Sequence, residues 1–122
     1  MKKILVLSPH QDDETLGCCG TLLKHQSLKE KIFCINFTEM KANTNYTSAQ
    51  IKTRRKEIEK IKKFYKFDQY INLGYPTRYL DSIPFNEILE RTLKKVNKIK
   101  PSVIYIPHSG DIHTDHKIVN RI

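Results

Sequence analysis

The sequence has no apolar run near the roughly 20 residues that a membrane-spanning helix requires. Its start, MKKILVLSPHQDD, turns charged after an apolar stretch too short for a signal peptide, so a soluble, cytoplasmic protein is expected. Cysteine is scarce. Cys18, Cys19 and Cys34 are an odd number without C-x-x-C spacing, which argues against a disulfide framework, a zinc ribbon or a redox pair and for reduced thiols. Cys34 reads as buried strand filler, and Cys18 and Cys19 as small helix residues packed on a sheet. Phosphate-cradling loops are missing too, because GCCG is not G-x-G-x-x-G and lacks the P-loop lysine. No G-x-S-x-G elbow offers a nucleophilic serine, and no internal repeat or low-complexity linker divides the chain.

What is present reads as one globular domain over residues 1–122, with 39% apolar and 29% charged residues. The net charge of +9 comes from 22 Lys and Arg against 13 Asp and Glu. It concentrates in KTRRKEIEKIKK and ERTLKKVNKIK, where basic residues alternate with apolar ones at helical spacing, as on a solvated outer face. No nucleic-acid recognition motif accompanies it, so no nucleic-acid partner is expected.

Taken in order, the pattern alternates between strand and helix. Ile4–Ser8 is an almost unbroken apolar run, the mark of a buried strand, and TLGCCGTLLKH continues at helical spacing with Leu16, Cys19, Gly20 and Leu23 on one face. Lys31–Thr38 reads as a second strand. Polar residues Glu39–Gln50 follow it as a loop and candidate substrate lid. A helix from about Ser48 to Phe64 turns Ile51, Ile58, Ile61 and Tyr65 inward and Lys52, Lys56, Lys60 and Lys63 outward. Gln69–Leu73 is a short strand, and Asn86–Lys100 a helix with Ile88, Leu89, Val96 and Ile99 inward, stopped by Pro101. Val103–His108 is a fourth strand, and the last residues open another helix. This order predicts a Rossmann-like α/β fold, a mostly parallel sheet with helices on both faces.

Chemistry gathers at two strand ends. His10, Asp12, Asp13 and Glu14 follow the first strand, and Asp111, His113, Asp115 and His116 follow the fourth. Open α/β sheets place ligand sites at carboxyl strand ends, and right-handed crossovers bring these two ends to one edge. Two imidazoles and a carboxylate with a fourth position open make a zinc site of the catalytic kind. Asp12 and Asp13 are adjacent, so their side chains diverge, and one can bind metal while the other faces a water molecule. Simpler roles exist for each residue alone: Asp12 or Asp111 as a helix cap, Glu14 as a counter-charge to a helix amino end, His25 and His108 as structural or solvent-exposed groups.

PHQDDETLGCCG together with GDIHTDH resembles the PIG-L/LmbE-like family of zinc-dependent N-acetylglucosaminyl deacetylases, whose motifs read [AP]-H-[PQ]-D-D-E-x-x-G-x-G-G and H-x-D-H. RRKE, Arg54 to Glu57, is similar to the family's R-x-x-E helix, and LGYP to its LG-x-P segment. The resemblance implies that His10, Asp13 and His116 hold Zn2+ and that Asp12 is the general base. It also implies that protonated His113 stabilises the transition state, that Asp115 orients His113, and that Arg54 contacts substrate. Cys19 replaces a glycine of the motif, which would crowd the turn near the metal. The implied reaction is hydrolysis of the N-acetyl group of an N-acetylglucosamine-containing small molecule or glycoconjugate. Alternatives are a metal-dependent amidohydrolase acting on another amide, or a non-catalytic zinc- or sugar-binding domain. Family members continue past the second motif, so the chain is expected to lack the C-terminal part of the family fold.

Overall fold

The computed structural model describes residues 2–41 and 45–122. The element order is β1 (Lys3–Ser8), α1 (Asp13–Ser27), β2 (Lys31–Glu39), α2 (Ser48–Tyr65), β3 (Gln69–Pro76), a 3-10 turn (Leu80–Ser82), α3 (Phe85–Ile99), β4 (Val103–Tyr105) and α4 (Thr114–Arg121). The four strands are ordered β3-β2-β1-β4, and every neighbouring pair is parallel, as the alternating pattern predicts.

Burial on both faces explains why β1 reads as a continuous apolar run. Ile4 and Leu5 are both fully buried although alternation sends them to opposite faces. On one face Leu5, Leu7, Ile35 and Phe37 pack with Ile88 and Ile99 of α3 and Val119 of α4. On the other, Ile32 packs with Leu22 of α1 and Tyr65 of α2. Cys34 is buried within β2, and Cys18 and Cys19 pack against the second cluster.

Helix α2 begins at a reciprocal capping box. Thr47 Oγ1 accepts the Gln50 N–H at 3.1 Å and Gln50 Oε1 accepts the Thr47 N–H at 2.8 Å, so two orphan donors are satisfied. It buries Ile58 and Tyr65 and half-buries Ile51 and Ile61, while Lys52, Lys56, Lys60 and Lys63 are exposed, as the spacing requires.

Three expectations need correction. Of the expected inward face of α1, Cys19 and Leu23 pack against the core, but Leu16 and Gly20 are exposed. Glu14 and Leu22 are the buried residues, and Leu16 is 79% exposed. The cause is a break at Cys18, whose φ of −148° and ψ of 31° are non-helical and shift the phase of the turns on either side. β4 stops at Tyr105 rather than at residue 108, because Pro107 has no N–H with which to extend a ladder. β3 runs on to Pro76 through Gly74, whose φ of 77° fits the irregular register between Asn36 and Thr38. The 3-10 turn was not signalled by any sequence pattern. Residues 42–44 of the expected lid lie outside the described residues, and its flanks Met40 and Tyr46 border the site.

Candidate metal centre and the cleft beside it

β1 and β4 are hydrogen-bonded neighbours, so the segments leaving their carboxyl ends meet across one sheet edge. Three donor atoms converge there. His10 Nδ1 lies 3.3 Å from Asp13 Oδ2, His116 Nε2 lies 3.1 Å from the same oxygen, and the two nitrogens are 3.3 Å apart. A four-coordinate ion with bonds of about 2.0–2.1 Å needs ligand atoms roughly 3.3–3.4 Å apart, so this triangle matches one face of a tetrahedral zinc site. Asp13 is fixed in turn by the backbone N–H of His10, which donates to its Oδ2 at 2.8 Å.

The far nitrogen of each imidazole is held by a carboxylate, the usual outer arrangement around metal-binding histidines. His116 Nδ1 is 2.8 Å from Asp111 Oδ2, and His10 Nε2 is 2.9 Å from Asp115 Oδ2. Asp115 is fully buried and also accepts the backbone N–H groups of Arg78 at 2.7 Å and Leu80 at 3.1 Å. Burial would raise its pKa, but these donors outweigh it and hold the carboxylate below its ordinary range. For His10 burial pulls downward, yet the hydrogen bonds and charges of Asp115 and Asp13 prevail and raise its pKa to about 9. A second grouping, His10 with His113 and Asp115, is less suited to a metal. Its Asp115 oxygens already have donors, and His113 Nδ1 accepts the Asp115 backbone N–H at 3.1 Å.

That last bond alters the expected role of His113. Its Nδ1 caps α4, so the ring carries its proton on Nε2 and is neutral rather than protonated. Burial and the neighbouring His10 charge push its pKa down, in the same sense. The orienting group on His113 is therefore the backbone amide of Asp115, while the Asp115 carboxylate orients His10. Asp111 is likewise not the helix cap. Its Oδ1 accepts the His113 N–H at 3.0 Å while its other oxygen holds His116.

Asp12 occupies the N-cap position of α1, but its side chain makes no capping bond and lines the adjoining cleft. The cleft, about 220 Å³, is also lined by His10, His113, Arg54, Arg78 and Tyr46. Arg54 reaches it from α2, with Nη1 3.5 Å from Glu57 Oε2. Glu14 turns away. It is fully buried, with Oε2 3.0 Å from Ser8 Oγ, and burial raises its pKa, so it is no exposed counter-charge to the helix. His108 is exposed, its Nδ1 accepting the Gly110 N–H. His25 lies between Glu30 and Tyr105 and is structural.

Arg78 has no sequence signal as a site residue, yet it lines the cleft, and it is one of five described non-glycine residues at positive φ. A turn closed by the Tyr79 N–H on the Pro76 carbonyl holds Arg78 at a φ of 74°. Glycine or asparagine is preferred at the third residue of such a turn, and another side chain there costs on the order of 1 kcal/mol. The strain is matched by the bond from the Arg78 N–H to Asp115.

Comparison with known proteins agrees with the fold. A conserved protein of Thermus thermophilus superimposes with a TM-score of 0.82 at 26% identity, over 99% of this chain and 53% of its own. An N,N'-diacetylchitobiose deacetylase from Pyrococcus horikoshii gives 0.83 at 24% identity, over 98% and 47%. The 4-carboxy-2-hydroxymuconate hydratase of Pseudomonas putida gives 0.77 at 15%, so the fold by itself does not fix the reaction. The chain spans about half the length of the first two of these structures. The profile of the family described as GlcNAc-PI de-N-acetylase, PIG-L, matches residues 5–122, nearly the whole sequence and both clusters. With that match over residues 5–122, the chain belongs to the PIG-L family.

Proposed function

We propose that this chain carries the catalytic centre of a zinc-dependent N-deacetylase acting on an N-acetylglucosamine-containing substrate. The observation that carries the reading is the donor triangle of His10, Asp13 and His116, its imidazoles backed by Asp115 and Asp111, beside the uncommitted carboxylate of Asp12. The P. horikoshii neighbour, a deacetylase of an N-acetylated disaccharide, supports the substrate class by analogy.

His10, Asp13 and His116 would hold the zinc ion, which would supply a Lewis acid and lower the pKa of a nearby water. Asp12 takes a proton from the attacking water, since its carboxylate faces the cleft without a partner of its own. His113, neutral with its proton on Nε2, donates a hydrogen bond to the oxygen that becomes negative as the amide carbonyl is attacked. Because His113 has no second proton to give, Asp12 returns its proton to the departing nitrogen. Water and amide become acetic acid and amine, and the acid's remaining proton passes to the amine or to solvent to leave acetate. Arg54, at the cleft wall, contacts the sugar.

The adjacent aspartates give the test. Asp13→Ala is expected to take zinc content from about one per chain to near zero. Asp12→Asn should keep the metal and lower acetate release by about 10²–10⁴-fold. A folded wild type without metal, or an Asp12→Asn variant as active as wild type, would overturn the assignment.

A further inference from the structure

We propose that the edge of the sheet opposite the metal triangle docks the protein on an anionic lipid bilayer. In a parallel sheet with returning helices, strand starts and helix ends share one edge. Here that edge carries Lys2, Lys3, Lys29, Lys31, Lys66 and Lys100. Lys3 and Lys31 are register partners, the Lys31 N–H donates to the Lys2 carbonyl at 3.1 Å, and the Ser102 N–H donates to the Lys3 carbonyl at 2.8 Å. The lysines therefore follow the strand order from β3 to β4, a row about 15 Å long at the usual strand spacing. Lys29, Lys66 and Lys100 hold the left-handed positions after α1, α2 and α3, at φ of 58°, 55° and 55°, where glycine is the commonest residue. Among the described residues none of the six pairs with a carboxylate. Of the acids nearby, Glu30 is held by His25, and Asp68 Oδ2 accepts the Ile32 N–H at 2.8 Å.

A lysine near a helix carboxyl end offsets the helix dipole, and Lys3 does so directly, its Nζ donating to the Ile99 carbonyl at 3.1 Å. That role does not account for Lys2 and Lys31, nor for two large apolar side chains exposed on the same edge. Leu28, the cap of α1, is 59% exposed, and Phe64, in the last turn of α2, 53%. The helix ends that carry them touch, with Gln26 Nε2 donating to the Phe64 carbonyl at 3.0 Å. A hollow of about 440 Å³ lined by Lys29, Lys31 and Lys66 opens beside them. Ammonium groups around apolar tips suit an anionic bilayer, where the charges meet lipid phosphates and the tips enter the headgroup boundary. Nucleic acid is met by stacking aromatics and guanidinium forks, whereas every cation in this row is lysine. No described helix is long and apolar enough to cross a membrane, so the contact is peripheral. The metal triangle lies beyond the other end of β1, about 20 Å of strand away. Docking therefore leaves the catalytic cleft open to water and does not depend on which amide is hydrolysed there.

The test is sedimentation of the full chain with vesicles of phosphatidylcholine alone, or with about one-third phosphatidylglycerol, alongside the Tm of each variant. Binding to the anionic vesicles is expected to exceed binding to the neutral ones by about tenfold or more, and to fall as salt rises from about 0.05 to 0.5 M. Lys29→Gly, Lys66→Gly and Lys100→Gly combined should cut it by about tenfold or more without lowering Tm, because glycine suits each left-handed φ. Lys52→Ala, Arg55→Ala and Lys56→Ala combined remove equal charge from the amino-terminal half of α2 and should leave it within about twofold. Leu28→Ser with Phe64→Ser should weaken it by about threefold or more at constant Tm. Equal or absent binding to the two kinds of vesicle, or equal losses from the two triple variants, would overturn the proposal. Binding to duplex DNA that is stronger than to the anionic vesicles and unchanged by Leu28→Ser and Phe64→Ser would also overturn it, making the edge a nucleic-acid surface.

Discussion

Two clefts meet at the His10–Asp13–His116 triangle, and they differ in kind. One, about 220 Å³, is walled by Asp12, His113, Thr38, Thr77 and two arginines. The other, about 460 Å³, lies on the β4 side against Leu16, Val6, Ile106 and Pro107, with Asp13, Asp111 and His116 at its floor. Asp12 and His113, the two groups given the proton transfer and the hydrogen bond to the carbonyl oxygen, line the polar side. The Asp111 carboxylate that positions His116, with its Oδ2 2.8 Å from Nδ1, stands on the apolar side. The contrast assigns chemistry to one wall and support to the other, and it can be tested from either side.

From the polar side, His113 gives the largest of the remaining effects. His113→Gln keeps a hydrogen-bond donor of similar reach but loses the fixed imidazole, and kcat should fall by about 10²–10³-fold with zinc content unchanged. A pH profile taken with it sharpens the mechanism. If neutral His113 is the donor, raising the pH above its depressed pKa leaves the wild-type rate intact. A rate lost in step with deprotonation of His113 would mean that the imidazolium acts after all.

The metal triangle, which both clefts share, carries its own pH dependence. In the metal-free protein His10 is protonated up to about pH 9, held by Asp115 and Asp13. Its folded pKa lies above the unfolded value of about 6.5, so its contribution to stability is complete below that pH and is lost as pH rises through about 9. Zinc must displace this proton. Apparent zinc affinity should therefore climb by up to tenfold per pH unit between about 7 and 9, with a proton released on binding. Titrations at several pH values check the slope, and a flat profile would show that His10 is neutral before the metal arrives.

How much of this was legible depends on the range of the interaction concerned. His10, Asp13 and His116 were visible because charge follows an apolar strand at both places, and parallel neighbours must bring such ends together. Most of the buried faces follow from the same periodicity, whereas the strand order β3-β2-β1-β4 is seen only in the structure. What the sequence concealed is set by how loops return. Asp111 looks like a helix cap until the segment after β4 folds so that His113 takes that role. Asp115 sits beside His113 in sequence, yet its carboxylate crosses to His10 and ties down the turn after β3. Arg78 carries no motif, because it is the turn after β3 that sets it at the cleft. The phase break at Cys18 is equally silent, and it explains why Leu16 was assigned to the wrong face.

Leu16 is also where the smallest effect is expected, and that makes it the sharpest test of the contrast between the clefts. It is 79% exposed at the rim of the apolar cleft, near Ile106 at 51%. A side chain this exposed adds little to the core, so Leu16→Ser should change Tm by no more than the scatter of ordinary surface substitutions, within about 0.5 kcal/mol of stability. If the substrate is confined to the polar side, kcat/KM should also stay within about twofold of wild type. A loss of tenfold or more in kcat/KM with zinc content and Tm unchanged would place part of the substrate, such as an apolar aglycone, on the β4 side. The apolar wall would then be a second binding surface reaching the same metal from behind, and the division between working wall and supporting wall would fail.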